Sequence, residues 1–173
     1  MKIIEALKNL KTIQKRIDKN CYQIKEYCAY VSYETPVFET EAKQAAEVDS
    51  LIQSNLDLEK EYLRLKKAIE ITNLAIVVSI GDRSYTITEL ISIKRVVGKF
   101  RLNTYNSLNP MLAVQRMQGI FAKGQVDASN PPKVMMVFKE ADRNTKTRDW
   151  EDFLSQIDGK LEVVNAETEL QGY

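Results

Sequence analysis

The feature that most constrains the fold of this sequence is a long heptad pattern at its N-terminus. At alternating spacings of four and three residues the pattern places Ile3, Leu7, Leu10, Gln14, Ile17, Cys21, Ile24 and Cys28. A seam of nearly four heptads is longer than a typical globular helix needs and is typical of coiled-coil packing. Gln14 is its one polar residue, which commonly fixes register at some cost in stability. The segment predicts a long helix that packs along one side.

A second heptad pattern follows a break at Thr35-Pro36, because a residue before proline avoids the α region. The seam of this second helix, expected over about residues 39–72, is Val48, Leu51, Asn55, Leu58, Tyr62, Leu65 and Ile69. Two long seams joined by a short link predict an antiparallel helical hairpin over residues 1–72. Ile52, Leu56 and Leu63 flank the second seam, so we expect this helix to contact more than one neighbour.

Residues 73–86 change to the period of a strand. The run 74–80 is rich in β-branched residues, Gly81-Asp82 supplies a turn, and residues 83–86 can return as a second strand. The sequence predicts a β-hairpin here. Thr86 and Glu89 then match a capping box that opens a third helix. The seam of that helix is Leu90, Ile93, Val97, Phe100 and Thr104.

The rest of the chain combines a helix, an irregular insert, a strand and a final helix. Asn109-Pro110 can begin a helix, whose apolar stripe is Met111, Val114, Met117 and Phe121, and which ends near Gly124. A loop over 127–132 leads to a third strand at Val134–Phe138, which we expect to be buried on both faces. Residues 146–173 form the C-terminal segment, with a helix from about Thr147 and the seam Trp150, Leu154, Ile157, Leu161, Val164 and Thr168. These elements predict a single, mainly α domain over 1–173, with 87–145 between the β-hairpin and the last helix.

The distribution of charge says more than its total. The net charge of +1 predicts no bulk attraction to nucleic acid or to anionic lipid. Residues 83–123 nevertheless carry seven basic side chains and one acidic, and residues 149–173 carry seven acidic and one basic. We interpret these segments as neutralising each other, within the chain or across subunits.

Two further features bear on location. The N-terminal stretch lacks the apolar region of a secretory signal, and the longest apolar run, Leu74–Val78, is too short to span a bilayer. Cys21 and Cys28 lie about 10 Å apart along a helix, too far to form a disulfide. We therefore expect a cytoplasmic protein with free thiols and no membrane partner.

Most catalytic chemistry is missing from the sequence. The chain has no histidine, which removes the commonest general base, the commonest metal ligand and the usual nucleophile pairs. Its two cysteines cannot close a zinc site, and its scattered glycines form no phosphate loop. We expect no enzyme, metal or cofactor. An enzyme that uses only carboxylates or lysines stays open, although Asp149, Glu151 and Asp152 are explained by the macrodipole of a helix that begins just before them.

Anion binding is the chemistry that remains. The candidate ligand-binding residues are Arg83 and Tyr85 on the β-hairpin, Lys94, Arg95, Lys99, Arg101 and Tyr105 around the third helix, and Arg143, Lys146 and Arg148 around the start of the last helix. Arginine's planar fork suits phosphate, aromatic rings can stack on a base, and a helix N-terminus offers free N–H groups. Salt bridges to the acidic last helix, or plain solvation, are the competing interpretation.

Three short stretches carry a resemblance. Ile71-Thr-Asn73, residues 83–90 and residues 165–170, in that order between heptad helices, resemble a family of small bacterial and phage proteins of unknown function, some labelled septicolysin-like. The resemblance covers most of the chain and departs over residues 103–130, which are longer and more apolar here. It implies a helical hairpin with a small β element, forming oligomers, and no catalytic residues.

Three classes of function follow from these patterns. Seams longer than a compact fold needs predict a homo-oligomer, with the first and last helices at its interface. The favoured class is a phage-encoded binding protein that sequesters a small phosphorylated or nucleotide-like ligand, an immune signal, in Arg/Tyr pockets at subunit interfaces. The alternatives are a structural or assembly protein, such as a virion component or coiled-coil adaptor, and a carboxylate-dependent enzyme.

Overall fold

The computed structural model describes residues 1–124 and 129–173. Helices dominate, as predicted: α1 (Ile3–Tyr27), α2 (Glu41–Ala75), α3 (Ile87–Ser92), α4 (Gly98–Asn106), α5 (Met111–Ala122) and α6 (Glu140–Glu167), with a π-helical turn at Ile93–Val97 between α3 and α4. The strands β1 (Val77–Ile80) and β2 (Arg83–Thr86) pair as a small sheet. The predicted loop over 127–132 lies partly outside the described residues.

The contacts within the chain divide it into two compact units. The first unit comprises Met1–Val78, Thr86–Thr88 and Leu161–Tyr173, and the second comprises Ser79–Tyr85 and Glu89–Lys160. The single domain expected from the sequence stays a prediction.

The first unit is built on the antiparallel hairpin of α1 and α2. Hydrogen bonds join Gln14 to Tyr62, Asn20 to Asn55 and Tyr27 to Gln44, so residue numbers fall along α2 as they rise along α1. At the closed end, the buried Gln44 amide accepts from the Val37 N–H at 2.9 Å and donates to the Tyr27 carbonyl at 2.8 Å. This one side chain ties the connecting loop to both helices, and the predicted hairpin is confirmed.

The hairpin core confirms the predicted seam of α2 and corrects that of α1. Its buried cluster is Ala6, Leu10, Ile13, Leu58, Leu65 and Ile69. On α1 the predicted Leu7, Gln14, Cys21 and Cys28 are exposed, and their preceding residues face α2 instead. Both phases share Ile3, Leu10, Ile17 and Ile24, so the sequence alone left one residue in each heptad undecided. The apolar stripe of α1 packs against α2 within the chain, and the predicted oligomer interface on the first and last helices stays a prediction.

The polar seam residue of α1 is therefore Asn20, not Gln14. Its amide donates to the Asn55 side-chain oxygen at 2.9 Å and to the Ser54 hydroxyl at 3.2 Å. A paired amide in an otherwise apolar seam favours one register over its neighbours.

The predicted β-hairpin is confirmed over residues 77–86, whereas residues 73–75, predicted to be part of it, belong to α2. Its register is set by a two-residue turn. Gly81 has φ +58°, a conformation that favours glycine and fits the first position of such a turn. The hydroxyls of Ser79 and Ser84 face each other across the strands at 3.2 Å.

The predicted third strand at Val134–Phe138 is wrong. The segment has no ladder partner among the described residues, and Val137 is 99% exposed. An apolar β-branched run becomes a strand only where a neighbouring strand satisfies its backbone, and the described residues provide none for this run.

The last two helices match prediction at α5 and correct it at α6. The Asn109 side chain accepts from the Met111 N–H at 3.1 Å, as expected for a residue that precedes a helix. α6 begins at Glu140 instead of near Thr147, whose hydroxyl donates to the Arg143 carbonyl inside the helix. The carboxylates at 149, 151 and 152 thus lie beyond the first turn, and the macrodipole does not explain them. The predicted seam of α6 is confirmed, with Trp150, Ile157 and Leu161 buried.

Candidate functional site

A cleft of about 430 Å³ lies in the second unit. It is lined by Ile80, Asp82, Arg83, Tyr85, Ile93, Val97, Arg101, Trp150 and Phe153. The β-hairpin tip, the helix that follows it and the first half of α6 each contribute. The volume lies within the range of small-molecule sites, which combine apolar walls with a few polar groups.

Aromatic rings form one wall of the cleft. The rings of Trp150 and Phe153 lie 5.2 Å apart at 37°, and Tyr85 lies 6.2 Å from Phe153 at 55°. Trp150 is buried, and its indole N–H donates to the Gly98 carbonyl at 3.2 Å. Since this hydrogen bond fixes the orientation of the indole, the wall is pre-formed.

The π-helical turn decides which residues of the third helix face the cleft. The Gly98 N–H bonds to the Ile93 carbonyl, five residues back, which adds one residue to that turn. One extra residue rotates everything after it by about 100°. Phe100, predicted in the seam, is consequently 65% exposed, while Gly98 is buried and Arg101 reaches the aromatic wall.

Gly98 also lets the helices approach closely. A Cβ atom at this position would lie 3.1 Å from the Leu154 side chain and 3.1 Å from the Ile93 carbonyl. Both distances are shorter than ordinary van der Waals contact, so glycine favours the close approach of α4 and α6 while its carbonyl accepts from Trp150.

Two arginines and one aspartate supply the charge of the cleft. The Arg101 guanidinium lies 3.8 Å above the Trp150 ring, a cation–π stack. Stacking uses the flat face of the guanidinium and leaves its N–H edge available. Within residues 1–124 and 129–173, neither Arg83 nor Arg101 makes a hydrogen bond or ion pair. Together with Asp82, these residues give the cleft lining one net positive charge. The cleft can therefore bind an anion at the N–H edge of Arg101, beside the aromatic wall.

The other predicted residues of the third helix do not join this cleft. Lys94 forms an ion pair with Asp158 at 2.6 Å, both half exposed, which supports the interpretation that basic and acidic segments neutralise each other. Arg95 and Lys99 are exposed and Tyr105 is half-buried, and none of the three lines the cleft.

The basic cluster at the start of α6 is arranged differently from the prediction. Because α6 begins at Glu140, the free N–H groups of its first turn precede Lys146 and Arg148. Arg143 donates to the Leu108 carbonyl and to Glu140, both at 3.0 Å, so two of its donors are already used in hydrogen bonds within the chain. Arg143 and Lys146 border a separate depression of about 480 Å³, whereas Arg148 is exposed outside it.

Of the ten predicted ligand residues, the structure thus brings Arg83, Tyr85 and Arg101 together in one cleft. Sequence reasoning missed Asp82 and Phe153 as lining residues and read Trp150 only as a seam residue. The available signal was the aromatic pair three residues apart on α6, which must share one helix face.

Neither metal-binding nor membrane-spanning features are found in the described part of the chain. No group of three or more acidic or cysteine side chains there could hold a metal ion. None of the helices described there is both long and apolar enough to cross a bilayer.

Comparison with family models, with curated proteins and with solved structures yields no match to this chain. The resemblance carried by residues 71–73, 83–90 and 165–170 accordingly stays a prediction.

Proposed function

We propose that this chain is a non-enzymatic binding protein whose cleft takes a planar ligand with an anionic group, a nucleotide-like compound being the class that fits best. The observation that carries the proposal is the Arg101 guanidinium stacked on Trp150 with no partner for its N–H edge in the described residues. An arginine held flat and left unpaired is oriented for a phosphate or carboxylate before any ligand arrives.

The aromatic wall supports the planar half of the ligand. Tyr85 and Phe153 present rings beside the two arginines, and base–aromatic stacking is worth about 1–3 kcal/mol per base. Asp82 repels a bare anion but accepts hydrogen bonds from amino or hydroxyl groups, which favours a nucleoside phosphate over phosphate alone.

The proposed pocket lies within one chain, although the sequence suggested subunit junctions. A protein that binds such a ligand without converting it lowers the free concentration of that ligand. This is the sequestering role, and a signalling nucleotide would be the biological target.

Calorimetry with nucleoside monophosphates, cyclic dinucleotides, ADP-ribose, unphosphorylated nucleosides and inorganic phosphate tests the proposal. We expect at least one nucleotide to bind tighter than about 0.1 mM, and the nucleoside and phosphate to bind more weakly. Trp150 is the only tryptophan in the chain, so its fluorescence should change on binding.

Matched variants locate the site. Arg101→Ala should weaken binding at least about tenfold, and Arg101→Lys should also weaken it, because lysine keeps the charge but loses the planar fork. Arg148→Ala removes an exposed cation outside the cleft and should leave affinity unchanged. Failure of the whole panel to bind, or equal losses in Arg101→Ala and Arg148→Ala, would refute the proposal.

An assembly role is the second candidate, and α5 is the observation that favours it. Its apolar residues are Met111, Leu112, Ala113, Val114, Met117, Ile120, Phe121 and Ala122, and none of its residues is buried. Exposed apolar surface of this extent marks interaction sites in soluble proteins. If no ligand of the panel binds, the assembly role becomes the leading proposal.

A further inference from the structure

The helix α2 carries a second heptad stripe beside its buried seam. It consists of Ala45, Asp49, Ile52, Leu56, Glu59, Leu63 and Lys66, each one residue beyond a position of the seam that faces α1. We call it the α2 outer stripe. Ile52, Leu56 and Leu63 are 45%, 46% and 66% exposed. A helix with two stripes about 100° apart has the pattern of one that packs against two neighbours, and α1 covers one stripe only.

The charges of the outer stripe indicate what kind of surface can bind to it. Asp49 makes no ion pair among residues 1–124 and 129–173, and Lys66 reaches Glu70 only at 3.9 Å, with both side chains half exposed or more. An acid at one end, a base at the other and apolar residues between them make the stripe complementary to itself when reversed. The same stripe of a second copy, when reversed, therefore places opposite charges at each end and apolar residues between them.

Direction and register follow from the same residues. Parallel pairing of two copies would place Asp49 opposite Asp49 and Lys66 opposite Lys66, which is repulsive. Antiparallel pairing about a twofold axis between Asp57 and Leu58 places Asp49 opposite Lys66 of the second copy. It also places Ile52 opposite Leu63 of the second copy, and symmetry repeats both pairs.

We infer that a second copy of this chain docks antiparallel on the α2 outer stripe, so that two helical hairpins form a four-helix bundle. The interface is isologous, because the same surface serves both copies. The inference concerns the first unit and does not depend on ligand binding in the cleft.

The dimer is expected to be weak. The paired stretch from Asp49 to Lys66 is about 26 Å long at 1.5 Å per residue, and a contact of that length buries less than the roughly 800 Å² per partner of a standard interface. Glu59 lies opposite Leu56 of the second copy, a mixed layer that weakens the contact. We expect a dissociation constant in the micromolar range, so assembly should depend on concentration.

Charge reversal provides the sharpest test, by sedimentation velocity from about 1 to about 300 µM, a range that brackets micromolar binding. Asp49→Lys alone places lysine opposite Lys66, and Lys66→Asp alone places aspartate opposite Asp49, so each should raise the dissociation constant at least about tenfold. The double variant should restore the wild-type value. Exposed charges are changed in each case, so we expect the variants to fold.

Apolar variants complete the test. Leu63→Asp should abolish the dimer, while Tyr22→Asp, which changes an equally exposed residue of α1 outside the stripe, should not. Glu59→Leu converts the mixed layer to an apolar one and should lower the dissociation constant. A wild-type chain that stays monomeric throughout the range overturns the inference, as does a dimer that tolerates Leu63→Asp or a double charge reversal that fails to rescue.

Discussion

The helical hairpin and the cleft use helices in different ways. In the hairpin, α1 and α2 run without interruption, and an apolar core lies between residues 6–13 of α1 and residues 58–69 of α2. In the second unit, the helix after the β-hairpin contains a π-helical turn, and the stripe that enters the turn is not the stripe that leaves it. A regular period buries side chains continuously, whereas a one-residue defect turns an arginine towards an aromatic wall and leaves a cleft.

The two regions also treat polar groups differently. The amide of Asn20 in the hairpin is paired with Asn55 and Ser54, so it sets register without offering a binding site. The guanidinium groups of Arg83 and Arg101 lie at the cleft without a hydrogen-bonding partner among the described residues. Satisfied polar groups stabilise a fold, and unsatisfied ones beside a cavity are available to a ligand.

The largest effect is expected in the hairpin core, where a pair of leucines tests the heptad argument. Leu65 is 1% exposed and Leu63, on the same helix, is 66% exposed. Leu65→Ala should lower the free energy of unfolding by about 2–5 kcal/mol, through lost burial and a cavity. Leu63→Ala should change it by less than about 0.5 kcal/mol. Urea denaturation measures both, and equal effects would show that the seam has the wrong phase.

A smaller effect is expected at Gly98, where the packing of α4 against α6 depends on the absence of a side chain. Gly98→Ala should lower the free energy of unfolding by about 1–2 kcal/mol, because its Cβ would lie 3.1 Å from Leu154 and from the Ile93 carbonyl, and this crowding outweighs the gain in helix propensity. Gly119→Ala meets no atom within 4 Å and should raise stability by up to about 1 kcal/mol through helix propensity. Thermal and chemical denaturation compare the two. A stabilising Gly98→Ala would mean that the close approach of α4 and α6 is dispensable.

The smallest effect is expected at the ion pair that joins the basic and acidic segments. Lys94 and Asp158 are both about half exposed, so their coupling should be below about 1 kcal/mol and should fall with added salt. A double-mutant cycle with Lys94→Ala and Asp158→Ala measures it. Coupling well above that limit would show that charge neutralisation, more than packing, holds the second unit together.

Local patterns in the sequence were sufficient for the helical hairpin, for the β-hairpin and for the seam of α6. Long heptads, a proline break and a turn at Gly81-Asp82 predict these elements, because they express local geometry that a chain carries with it. Arg83 and Arg101 were also recognisable as anion-binding residue types, and Tyr85 as a ring that can stack on a base. The sequence could not show which of the ten candidates would lie together, because exposed cations occur on more than one face of these helices.

Tertiary structure decided the rest. The phase of α1 depended on where α2 lies, because Leu7 and Ala6 fit a heptad equally well and only one faces the partner helix. The π-helical turn redirected Arg101, and no local rule places such a turn. Val134–Phe138 failed to become a strand because pairing requires a neighbour that sequence cannot supply. The sequence by itself determined that the chain is mainly helical, with a long helical hairpin and a small β-hairpin, and which side chains could bind an anion. Packing determined which faces are buried and which of those side chains share a cleft, because both depend on residues distant in the chain.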